Sequence, residues 1–268
     1  FGFQETDIAI TKFNATGTSK IYSTYLGGSN NELLASLLCT PNNELIVVLT
    51  TGSSDFPTSA NAYDKTFNGG SNLTAYEIEL FFGSDLAITK FNAAGSALVG
   101  STFFGGSGND GTNTSGTTAY NYGDESRSDV AIDNAGNIYV TTTTTSTNLP
   151  GTAGKAQATN GGGESDGLLA KFNSNLSSLS WATYYGGSGA DASYSIQLDK
   201  TNNIFICGGT SSTNIPGRTN GLNTTYKGGP TDGFVAKFDN NGSSVLSATY
   251  LGTNGYDQAY IMDLDNND

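Results

Sequence analysis

A two-strand pattern written four times constrains this chain more than any other feature. The copies begin at Asp7, Asp85, Asp166 and Asp232, so they are 78, 81 and 66 residues apart. In each, an acidic residue opens a short apolar run ending in Lys-Phe. A turn rich in Asn, Ser and Gly follows, and a second run ends on Thr and an aromatic residue just before glycine. This is a β-hairpin, and its long, unequal period is that of stacked supersecondary units whose length differences lie in loops.

A second hairpin falls between successive copies, clearest at residues 129–140 and 193–206. There Tyr194, Ile196 and Leu198 alternate with Ser193, Ser195 and Gln197, a strand period rather than a helical one. Residues 133–137 (Asp-Asn-Ala-Gly-Asn) supply a tight turn between two apolar runs, and a shifted version occupies residues 40–45. One repeat therefore holds four short antiparallel strands, a to d.

Taken in order, residues 8–13 and 21–26 give strands c and d of a first unit, and 33–39 and 45–50 give a and b of the second. Residues 52–84 form a long b–c connection whose segment 76–82 is expected to lengthen the following strand. Strands c and d return at 85–104, and an insertion, 108–128, precedes the third unit. The units are approximately 1–28, 29–106, 107–187, 188–252 and 253–268 of a single region incomplete at both ends. A chain that opens on Phe1 and stops inside a turn pattern is expected to be a piece of a longer polypeptide, and no signal peptide opens it.

Four-stranded units in series that cannot bury both faces alone pack most simply around an axis. The expected fold is all-β, a β-propeller with about three complete blades and parts of two more. Solenoid coils are much shorter than 66 residues, and separate sandwiches need linkers that are absent. All the long segments are d–a or b–c connections, so variable residues are expected on one face of the scaffold.

Composition narrows the function. Thirty-six glycines, 13% charged residues and 36% apolar residues suit many short strands around a core rather than a disordered chain. A net charge of −13 with eleven Lys and Arg argues against nucleic acid as partner, and no apolar run reaches the length of a membrane helix. Cys39 and Cys207 stand at non-equivalent strand positions and read as buried free thiols.

The motifs at 133–140, 183–191, 210–216 and 232–239, in that order along nearly the whole chain, resemble the SBBP β-propeller repeat. The resemblance implies a secreted or surface-exposed bacterial protein, similar to large multidomain proteins that Bacteroidota export by the type IX pathway beside gliding and adhesion components. It fixes no ligand and no catalytic residue. Departures from the repeat are the missing glycine at Asn202-Asn203, a weak first a–b hairpin and the two insertions.

The candidate sites follow from position. Glu32, Asp110, Asp191 and Asp257 recur at one distance after the glycine closing strand d. They read either as a ring able to hold Ca²⁺ or as caps on loop amides, and one acid per repeat falls short of the six to eight oxygens calcium takes. Asp263 to Asp268 resembles a calcium loop, but its repeat position is a hairpin turn without the distal Glu. Lys12, Lys90, Lys171 and Lys237 each lie five residues beyond the opening acid, as expected of stems packed along a blade with heads beside a carboxylate. Trp181, on outer strand d, reads as packing rather than a sugar platform. Within the insertion, Tyr120, Tyr122, Asp124, Glu125 and Arg127 combine rings with charged groups suited to a polysaccharide or a polar protein surface.

Histidine is absent, which removes the usual nucleophile–base pairs, and no sialidase-type box is present. The expected function is therefore a non-catalytic, secreted or cell-surface binding, adhesion or spacer module of a larger protein. Its partners would be polysaccharide, surface protein and neighbouring domains, with no cofactor except possible calcium. The alternatives are a carbohydrate-active enzyme using loop carboxylates and a structural part of a secretion or gliding assembly.

Overall fold

The alternation of apolar residues forms each expected strand and also decides which way each side chain faces. The computed structural model describes residues 5–121 and 123–265. Strands β1 (Ile8–Phe13) and β2 (Lys20–Leu26) form a two-stranded sheet. A second sheet contains β3 (Glu32–Cys39), β4 (Leu45–Thr51), β7 (Asp85–Phe91) and β8 (Leu98–Phe104), with the small hairpin β5 (Leu73–Ala75) and β6 (Ile78–Leu80) inserted between β4 and β7. A third holds β9 (Asp129–Ile132), β10 (Ile138–Thr144), β11 (Asp166–Phe172) and β12 (Leu179–Tyr185). The fourth holds β13 (Asp191–Leu198), β14 (Ile204–Thr210), β15 (Asp232–Phe238) and β16 (Val245–Leu251). These are antiparallel propeller blades with strand order a-b-c-d.

In the four-stranded blades the b and c strands bury both faces, so their successive residues serve different neighbours. Ile46 and Val48 of β4 join Ile138, Val140, Leu168 and Phe172 of the next blade in one core, while Val47 and Leu49 join Ile8, Ile10 and Leu26 of the preceding one. In the same way Tyr139 and Leu169 face Ile204, Ile206 and Phe234 of the last blade. The sheets therefore pack face to face, and the hydrophobic seams between them hold the propeller together.

Register repeats with the sequence. Thr51, Thr144 and Thr210 stand opposite Asp85, Asp166 and Asp232, and the c–d pairing shifts between Lys and Phe in all four hairpins. Short turns close by the same local chemistry. Asp133 and Asp199 accept the amides of Asn137 (2.9 Å) and Asn203 (2.8 Å). The left-handed residue this turn needs is Gly136 in one blade (φ 79°) and Asn202 in the next (φ 61°), so Asn supplies what the missing glycine would.

Three expectations change. Residues 76–82 do not lengthen a strand, because Tyr76 and Glu77 both take positive φ (51° and 63°) and turn the chain into β5–β6. The segment 108–128 does not precede strand a of its blade but interrupts it: Asp110 bridges Thr144 while Asp129 pairs with Thr141. Finally, Cys207 is buried but Cys39 is exposed, because the first sheet has only two described strands and leaves β3 open beside β1. After β16, residues 253–265 run without a regular strand, tied by a bridge between Thr231 and Tyr256.

Candidate functional site

The repeated acids are the joints of the blades. Glu32 accepts the Thr51 hydroxyl at 2.7 Å, and Asp110 and Asp191 accept those of Thr144 and Thr210. Their second oxygens accept the amides of Gly28 (3.2 Å), Gly106 (2.8 Å) and Gly187 (2.8 Å), and Asp257 accepts that of Thr253 (2.7 Å). Glu32, Asp110 and Asp191 thus fasten the a–b pair to the loop leaving strand d, and Asp257 closes the loop after β16, all with N–H and O–H donors where a cation would ask for oxygens. Among the described residues no three acidic or sulfur groups gather around one point.

Each joint also brings two carboxylates together. A Cβ at Gly186 would collide with both Asp166 and Asp191, and one at Gly105 with Asp85 and Asp110. Burial, helped by the neighbouring charge, raises Asp166 from 3.8 to about 7 and Asp85 to about 8. Burial alone outweighs the donors on Asp110 and Asp191, which rise to about 6. Asp166 is buried and its Oδ1 has no partner. Protonated, that oxygen becomes a donor beside the Asp191 carboxylate.

Three of the four repeat lysines behave as their repetition suggests, while Lys12 joins no ion pair among the described residues. Lys90, Lys171 and Lys237 pair with Glu44, Asp133 and Asp199 at 2.8, 3.5 and 3.3 Å, each tying strand c to the a–b turn. Trp181 is buried beside Tyr139, their ring centroids 6.2 Å apart, so its ring is part of the core.

The insertion residues reach a different place. At the axis, the equivalent a-strand positions are Ser36, Asp129 and Ser195, opposite Val48, Thr141 and Cys207. Asp129 gathers the three blades: its oxygens accept Ser36 Oγ (3.1 Å), Ser195 Oγ (2.9 Å) and the Ile196 amide (3.1 Å), besides the Val130 amide (2.8 Å). Beside it lies a pocket of about 450 Å³, walled by these inner strands, Tyr76, the end of the insertion and residues 260–262.

Of the four described insertion candidates only Arg127 lines this pocket. The rings of Tyr194 and Tyr260 stack on each other with centroids 5.7 Å apart, and the Arg127 guanidinium packs beside the pair, 6.0 and 5.1 Å from their centroids. It donates from Nη2 to the Tyr260 carbonyl at 3.2 Å, while its Nε is buried without a partner. Tyr120 is exposed and stacks on Tyr256 at 4.3 Å. Asp124 is buried and accepts the amides of Tyr120 (3.0 Å) and Asn121 (2.7 Å), and Glu125 accepts the Tyr76 amide. These two acids shape the loop. Tyr122 lies outside the described residues. Sequence reasoning missed Asp129, Tyr194, Gln197 and Tyr260. The available signal was the a-strand itself, since Tyr194 and Tyr260 stand three residues after Asp191 and Asp257.

With blades, register and joints in place, the comparison with protein families has a structural meaning. Residues 180–216 match the beta-propeller repeat family SBBP. The chain carries an SBBP β-propeller repeat. The match runs from within β12 through β13 and β14 into the connection that follows, so it begins on the outer strand of one blade and ends just past the second strand of the next. The joint acid Asp191 lies inside the matched stretch. No curated protein matches the chain.

Proposed function

We propose that this SBBP-repeat propeller is a non-catalytic binding or adhesion module, displayed outside the cell as part of a larger surface protein. The observation that carries the reading is the axial pocket, where Arg127 holds a buried Nε without an acceptor in an otherwise satisfied site. Rigid blades position such a pocket at little cost in ordering.

The acids speak for binding rather than turnover. Asp85, Asp110, Asp166 and Asp191 have the raised values a general acid needs, but all four are buried under the loops they fasten. A substrate has no route to them without undoing a joint. The pocket acid, Asp129, spends both oxygens on holding the inner strands.

The test is retention of polysaccharides and bacterial surface extracts on the immobilised chain, with and without added calcium, compared with a variant lacking residues 112–128. Ligand released chemically unchanged, and lost with the insertion, is the expected result. Cleaved product would turn the reading to a carbohydrate-active enzyme. Retention of nothing under any condition would leave a structural spacer.

A further inference from the structure

We infer that the axial pocket selects a saccharide carrying a single carboxylate, the chemistry of a uronic-acid residue linked to neutral sugar. The inference rests on the binding reading above and names what that pocket takes.

Donors and acceptors are out of balance in the pocket. Arg127 is the only base and Asp129 the only acid among the residues lining the pocket. Asp129 is saturated by four donors. Arg127 gives one N–H to a carbonyl, keeps Nε buried and unpaired, and joins no ion pair among the described residues. The repeat lysines Lys90, Lys171 and Lys237, by contrast, each meet a carboxylate of their own blade.

A buried donor without an acceptor carries its full desolvation cost, which an arriving acceptor removes. A carboxylate is the best match, since its two oxygens fit the planar guanidinium fork. The Tyr194 and Tyr260 rings already hold that fork in place, so little side-chain entropy remains to be lost on binding.

The rest of the pocket selects against a polyanion. It offers no second cation, and the chain's net charge of −13 repels multiply charged acidic peptides. Its other polar groups, among them Ser36, Ser195 and the half-buried Gln197, are neutral and of the kind that meets sugar hydroxyls, and a volume of about 450 Å³ is within the usual range for a small-ligand pocket.

The experiment is a titration of the full chain with cellobiouronic acid, its neutral twin cellobiose, and the peptide N-acetyl-Ser-Asp-Ser-amide, followed by calorimetry or ligand-observed NMR. The acid is expected to bind at least about tenfold more tightly than cellobiose, and to weaken as salt is raised. Arg127→Gln should abolish the difference and Arg127→Lys most of it. Gln197→Glu should weaken the acid by a larger factor than cellobiose, and it keeps Arg127 itself in place should Arg127→Gln disturb the fold.

Equal binding of acid and neutral twin, tighter binding of the peptide, or a preference that survives Arg127→Gln would each overturn the inference. If neutral polysaccharide is retained through the insertion while cellobiouronic acid is ignored, the binding reading stands and the ligand class is wrong. If neither experiment finds a ligand, both fall.

Discussion

At the scale of single residues, the paired carboxylates at each joint are the least expected chemistry in the molecule. Asp166 has one oxygen satisfied by the Gly161 amide (2.5 Å) and the other buried and bare, which suits a neutral acid better than an ion. The sign of the consequence is fixed. Its folded value of about 7 lies above the ordinary 3.8, so the folded state keeps a proton that the unfolded chain releases, and stability falls as pH rises between those values. Asp166→Asn, which cannot ionise yet can still donate to Asp191, should lose this dependence. Denaturant melts at pH 5 and pH 8 should show the wild type losing roughly 2 kcal/mol relative to the variant. Equal losses in the two proteins would mean that Asp166 is ionised in the fold at both values.

At the scale of elements, the insertion is an enlarged β-bulge. Blades two and four carry a one-residue bulge in strand a, where the pairing shifts between Leu34 and Ser36 and between Ser193 and Ser195. In blade three the chain leaves at the same place, after Asp110, and returns at Asp129. Bulges re-aim side chains without dissolving the ladder, so the longer version adds a loop at the axis and keeps the blade. That loop in turn holds residues 256–260: Thr118 accepts the Gln258 amide at 2.7 Å, Asn121 donates to the Tyr260 hydroxyl at 2.6 Å, and Tyr120 stacks on Tyr256. Replacing residues 112–128 by one residue should leave hydrogen exchange in β10 and β11 unchanged and accelerate it at Ala259 and Met262. Slow exchange retained at both amides would show that the blade edge alone fixes this segment.

For the whole molecule, the joints predict an acid-leaning stability profile. Asp85, Asp110, Asp166 and Asp191, at about 8, 6, 7 and 6, favour the fold most fully below 3.8 and lose that contribution as pH rises through their folded values. Asp133 and Asp199 act oppositely. Several hydrogen bonds in their turns hold them below the usual range, so their contribution is present above 3.8 and lost in stronger acid. Together they place the maximum of the unfolding temperature just above 3.8 rather than at neutrality. A profile rising from pH 5 to pH 8 would show that the joint carboxylates are not protonated in the folded protein.

Much of this was legible along the chain. Strand period, the Asn and Asp turns, the recurring acids and the lysines with their carboxylate partners all depend on near neighbours or on positions that each repeat restates, so they can be read along the chain. The remaining features join residues that are distant in sequence and not repeated, and they exist only once the blades are packed. The turn at Tyr76 and Glu77 needed two residues to take left-handed angles that neither requires by nature. Cys39 is exposed because of what lies beside β3, not because of its own strand. Arg127 became the candidate ligand residue, and Asp124 and Glu125 loop supports, only when packing brought the insertion against Tyr194 and Tyr260. A repeat records the contacts that every blade makes, while the pocket arises where the blades differ.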